Sequence, residues 1–141
     1  MNVTEKAIQI WPILVLCASR RETLTYDVLG KLIGVRAPIV PELLEPIQSY
    51  CLLEGLAPLA SIVVNQATGL TADGFITAAN LPRAQADVYA RDWLSDGLPK
   101  AELLQDAFEG MRLRRARDKQ RRARARQERR AAMQQTEEGR P

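Results

Sequence analysis

No histidine occurs in the 141 residues, which removes His-based triads, imidazole general bases and most zinc sites from the chemistry open to this chain. Cysteine is nearly as scarce. Cys17 and Cys51 sit in the apolar runs "ILVLCAS" and "SYCLLEGL", a setting for buried reduced thiols rather than for a disulfide or a nucleophile. Aromatic side chains make up 5% of the chain against 46% hydrophobic residues overall, so a core of Leu, Ile, Val and Ala is expected. The longest apolar run, "IQIWPILVLCA", is too short to span a bilayer and lacks the basic flank and cleavage site of a signal peptide. A cytoplasmic protein without a membrane partner is therefore expected. Carboxylate pairs such as Asp92 and Asp96 read as solvated helix faces, so no catalytic residue, metal ligand or cofactor is expected.

What the chain has in abundance is arginine, and in one place. Between Arg112 and Arg130 ten Arg and one Lys face only Asp118 and Glu128, a local charge of +9. Residues 1–111 carry −5 and the last eleven −1, so the formal +3 of the whole chain conceals an acidic body and a strongly basic end. Such an asymmetry points to a nucleic-acid or acidic-surface partner.

Along the body the period of apolar residues is mostly helical. Thr4 is a candidate N-cap for a first helix that runs to about Ser19, with Pro12 either kinking it or opening a firmer second piece. Thr23 to Thr25 reads as a short β piece, and Thr25 as the N-cap of a helix with the stripe Val28, Leu29, Leu32 and Ile33, ended by Gly34. Pro38 or Pro41 suits the first turn of the next helix, Pro46 forces a split near Glu45, and Gly55 ends the second piece. "ASIVVN" and "GFITA" then read as the two strands of a hairpin joined by the turn-rich "NQATGLTADG". A helix over "RAQADVYARDWLS" should pack Val88, Trp93 and Leu94 on the body. The last helix begins near Pro99 with the stripe Leu103, Leu104, Ala107, Phe108 and Met111, and runs for roughly 50 Å to about Met133. The expected fold is mainly α with a small β-hairpin: a winged helix-turn-helix over 1–97, a long basic C-terminal helix over 98–133 and a disordered tail over 134–141.

The segment "TLTYDVLGKLIG" resembles the Thr-Tyr-Gly-x-Leu-Ala-x-x-Ile-Gly stretch that opens the helix-turn-helix of the alkylguanine-DNA alkyltransferases and alkyltransferase-like proteins. "LASIVVNQATGLTADGF" is similar to their active-site strand and the loop after it, so the resemblance spans about residues 20–76. That family's strand carries Pro-Cys-His-Arg-Val; with the paired valines aligned, Leu59, Ala60, Ser61 and Ile62 occupy the first four places. Nucleophile and activating partner are both absent, and Cys51 on a preceding apolar helix does not replace them. The resemblance thus implies the fold and not the reaction. "PIQSYCLLEGLAPL" and "VVNQATGL" also look like a group of bacterial winged-helix proteins.

Phosphate contacts are assigned to Arg112, Arg114, Arg115, Arg117, Lys119, Arg121, Arg122, Arg124, Arg126, Arg129 and Arg130, because neutralised phosphates dominate nucleic-acid affinity and Arg binds them bidentately. In the body only Arg36, Gln48 and Gln66 offer polar contacts, since Glu42, Glu45 and Glu54 surround the candidate recognition helix and the wing has no base. A groove reader and a protein-contact module are both compatible with that composition. The sequence therefore reads as a non-enzymatic binder of DNA or RNA phosphates. The alternative is an adaptor or inhibitor that docks a protein or nucleoprotein complex through the acidic body.

Overall fold

A computed structural model describes residues 2–72 and 75–138. The chain divides into two compact units, residues 1–108 and 109–141.

The first unit is built from helices around one apolar cluster. Helix α1 (Val3–Ser19) is a single helix with Pro12 inside it. Asn2, not Thr4, is its N-cap: its side chain accepts from the Glu5 N–H at 2.8 Å, and Glu5 reaches back to the Asn2 N–H. This capping box satisfies two of the donors a helix start leaves open. Thr4 is instead buried, with its hydroxyl hydrogen-bonded to Gln105. The face of α1 carrying Ala7, Ile10, Trp11, Leu14 and Ala18 is at most 4% exposed and forms the centre of the core.

Strand β1 (Leu24–Thr25) leads directly into α2 (Tyr26–Ile33), with Thr25 capping the Val28 N–H at 3.2 Å. Gly34 closes α2 at φ 75°, and the Lys6 ammonium donates to the Ile33 carbonyl at 2.8 Å. A cation at a helix C-terminus also meets the negative end of the helix dipole. The chain then turns through a 3-10 segment (Ala37–Ile39) into α3 (Val40–Leu43), and α4 (Glu45–Leu53) follows with Pro46 in its first turn.

Gly30 makes that turn possible. A Cβ there would lie 2.7 Å from the Val35 carbonyl oxygen, a backbone atom that cannot swing away. Gly30→Ala should therefore cost about 1–3 kcal/mol by overpacking. An unchanged thermal midpoint would show that this close approach is not required.

The expected hairpin does not form among the described residues. After a 3-10 segment (Leu59–Ile62), strand β2 (Val63–Val64) pairs in parallel with β1, Leu24 beside Val63 and Thr25 beside Val64. Gly74 lies outside the described residues, and Phe75 and Ile76 form a bend rather than a returning strand. Local side-chain bonding explains this. Asn65 accepts from the Ala67 N–H, its own N–H donates to Leu70, and Thr71 Oγ1 accepts from the Ile76 N–H while donating to the Ile76 carbonyl. Backbone groups satisfied by neighbouring Asn and Thr have no need of a ladder.

Helix α5 (Leu81–Ala90) buries Leu81 and Val88, and Gln85 donates to the Ser61 carbonyl at 3.0 Å. Trp93 is 4% exposed, meets Trp11 edge to face at 5.8 Å, and donates its ring N–H to the Val88 carbonyl. Leu94, expected beside it, is instead 71% exposed, because the chain turns at 94–96. Helix α6 (Ala101–Glu138) starts by burying Leu104 and Ala107, while Leu103 faces outward. The helix continues past Met133, so residues 134–138 of the expected disordered tail are helical, and 139–141 lie outside the described residues. No helix among the described residues is long and apolar enough to cross a membrane.

Candidate nucleic-acid interface

The second unit is the remainder of α6. Gln, Arg, Lys and Ala are all good helix formers, which sustains the helix without an apolar seam. Over 112–130 the cations occupy about 27 Å of helix axis at 1.5 Å per residue. Every described side chain from Arg112 to Glu137 is exposed. Among the described residues Arg20–Glu22 and Arg91–Asp96 are ion pairs, and none of the basic side chains from Arg114 to Arg130 forms one.

The basic residues fall into ridges at three- and four-residue intervals. Arg115, Lys119, Arg122 and Arg126 border one shallow groove with Asp118 and Ala123, and Arg117, Arg121 and Arg124 border another with Gln120. Each such ridge places like charges about one helical turn apart, where they repel. A row of phosphates would relieve that repulsion. All eleven residues assigned from sequence thus share one helix, exposed and concentrated.

The three body residues are not brought together in the same way. Gln66 lines an open groove of about 690 Å³ with Tyr26, Asp27, Pro38, Pro41 and Asn65. Arg36, exposed, stands one residue before Ala37 on the groove's wall, whereas Gln48 is half-buried on α4 and does not line it. The Tyr26 hydroxyl accepts from the Ala72 N–H at 2.8 Å and fixes the loop to the start of α2. Sequence reading missed this groove because its walls lie some forty residues apart along the chain. The Tyr in "TLTYDVLG" was visible; its acceptor role toward Ala72 was not. No basic side chain lines the groove, and Asp27 adds an acidic one.

Burial pushes the Cys51 thiol up to about 11 from its ordinary 9.0, and burial also raises Cys17. Leu59, Ala60, Ser61 and Ile62 are all buried. Asp92 accepts from the Ser95 hydroxyl and N–H, which holds its carboxyl below the usual range, while Asp96 pairs with Arg91. The two carboxylates serve separate turn contacts.

The Cys51 shift has a stability consequence. A folded-state value raised above the unfolded one leaves its contribution intact below pH 9 and removes it as pH rises through about 11. Unfolding then becomes easier by on the order of 3 kcal/mol, since the unfolded thiol ionises freely. Cys51→Ala should flatten this alkaline drop in denaturant midpoint; an identical drop in both proteins would assign it elsewhere.

Compared with known proteins, the chain matches no protein-family model, no curated protein and no solved structure.

Proposed function

We propose that this chain is a non-enzymatic nucleic-acid-binding protein in which α6 neutralises backbone phosphates and the body orients or selects the target. The observation that carries this reading is the concentration of exposed, unpaired cations between Arg114 and Arg130 on one continuous helix. Phosphate contacts release counterions and supply most sequence-independent affinity, and they require this density of positive charge. Arginine adds bidentate hydrogen bonding to phosphate oxygens.

The α2–turn–α3 segment, with its close approach at Gly30, is read as a helix-turn-helix related to the winged-helix type. Its part is orientation rather than affinity. Helix α3 has four residues, Glu42 is its only charge, and the groove beside it has no basic lining. A second reading draws on that same surface and on the −5 of residues 1–111: the body docks a protein while α6 clamps an acidic surface.

Anisotropy titrations of the full chain against duplex DNA, RNA and polyglutamate of matched charge separate the two. The nucleic acids should bind at least about tenfold more tightly, because arginine pairs with phosphate bidentately and stacks on bases. Preference for polyglutamate would favour the protein-docking reading and sink this one.

A further inference from the structure

Successive residues of α6 turn by about 100° around its axis. Projected this way, the eleven cations between Arg112 and Arg130 leave one uncharged arc about 120° wide. Leu113, Ala116, Gln120, Ala123, Gln127 and Ala131 fill it. Arg117 and Arg124 border the arc on one side, and Arg112, Lys119, Arg126 and Arg130 border it on the other. Asp118 stands on the opposite face of the helix, together with Arg114, Arg122 and Arg129. The charge is therefore not spread evenly: two cationic flanks enclose a face whose polar groups are the glutamine amides.

We infer that α6 lies in the major groove of duplex DNA, with Gln120 and Gln127 facing the base edges and the flanking cations on the phosphates of the two walls. The inference rests on the nucleic-acid reading above and adds the target class, the docking face and two specificity-determining residues.

The dimensions and chemistry fit that target. The B-form major groove is about 12 Å wide and admits one α-helix, while the A-form groove of duplex RNA is too narrow for side chains to read. A helix seated there needs short or base-complementary side chains toward the floor and cations toward both walls. The arc supplies Ala116 and Ala123, small enough for close approach, and two glutamines whose amides pair bidentately with adenine N6 and N7. Gln120 and Gln127 are about 10 Å apart along the axis, close to the rise of three base pairs at about 3.4 Å each. Of the two acids, Asp118 faces away from the phosphates, and Glu128 stands just beyond Arg117 at the outer edge of one flank. A second copy of this helix is a poorer occupant, since Leu113 is the only large apolar side chain in the arc and cationic flanks on both sides oppose self-association.

Two full-length variants with equal charge loss test the orientation. The flank variant combines Arg117→Gln, Lys119→Gln, Arg124→Gln and Arg126→Gln. The rear variant combines Arg114→Gln, Arg121→Gln, Arg122→Gln and Arg129→Gln. Binding to duplex DNA should weaken at least about tenfold more in the flank variant than in the rear one, as wall-facing cations lose phosphates and rear ones do not. Selection from randomised duplexes should enrich A·T pairs spaced about three apart, and Gln120→Ala with Gln127→Ala should abolish that enrichment. Equal losses in the two charge variants, tighter binding to duplex RNA, or self-association without DNA that Gln120→Arg destroys would each overturn the inference. Binding of the wild-type chain with equal losses leaves the phosphate-binding reading standing, whereas no binding to any nucleic acid removes both.

Discussion

Replacing Arg114, Arg115, Arg117, Arg121, Arg122, Arg124 and Arg126 together by Gln is expected to weaken nucleic-acid binding by roughly a thousandfold or more at low salt. Each of these side chains is exposed and none forms an ion pair among the described residues, so each is available to a phosphate. Loss of the helix would not account for the effect. Gln has nearly the helix propensity of Arg, and removing repulsion between residues one turn apart strengthens the helix rather than weakening it. Far-ultraviolet circular dichroism should therefore hold steady or gain helical signal while affinity collapses. If affinity survived the sevenfold substitution, these seven side chains would not be the affinity element.

Trp93→Ala should have the largest effect on the stability of the first unit, on the order of 3–5 kcal/mol. Trp93 is 4% exposed, meets Trp11 edge to face and lies under the Arg91 guanidinium at 5.0 Å, while its ring N–H satisfies the Val88 carbonyl. Truncation opens a cavity beside Trp11, takes from that carbonyl one of its two donors and removes the ring beneath Arg91, whose Nε is already buried without a partner. Trp11 also contacts Tyr50 at 5.8 Å, so the damage extends to α4. Domains have about 5–15 kcal/mol of stability, and a loss of this size consumes much of it. Thermal or denaturant unfolding reads the effect directly. A cost below about 1 kcal/mol would mean that the aromatic cluster packs without supporting the unit.

Helix α2 was legible because its start and stop are local chemistry, whereas α1 is capped by Asn2 rather than Thr4 and α5 ends at Ala90, short of Trp93. Thr25 before "YDVLGKLI" and Gly34 after it bound α2 through a side-chain cap and a left-handed residue, both readable within ten residues. Pro46 forced the division between α3 and α4 for an equally local reason. The strand pairing was not legible. Val63 and Val64 have strong β preference, but nothing near them shows that their partner is Leu24–Thr25, forty residues earlier, rather than "GFITA" just ahead. Asn65 and Thr71 carry the missing signal, since their side chains satisfy the loop's backbone locally. Leu94 and Leu103 failed for a different reason: apolar identity alone does not fix a face when a turn or a helix start resets the phase.

The candidate interface was legible in composition and not in arrangement. Eleven cations in nineteen residues stand out in any window of the sequence. Their division into two flanks around Gln120 and Gln127 depends on an uninterrupted α-helical phase from Leu113 onward. A helix broken by repulsion would have erased it. The groove beside Tyr26 was hidden because it depends on tertiary proximity of Pro38, Pro41 and Asn65.

The most direct test of phosphate neutralisation by α6 is the equilibrium affinity of the full chain for a duplex of arbitrary sequence, measured across a series of salt concentrations. On a logarithmic plot the association constant should fall linearly, with a slope steeper than about −5 if six or more cations engage phosphates. A slope near zero, or no binding at low salt, would contradict it.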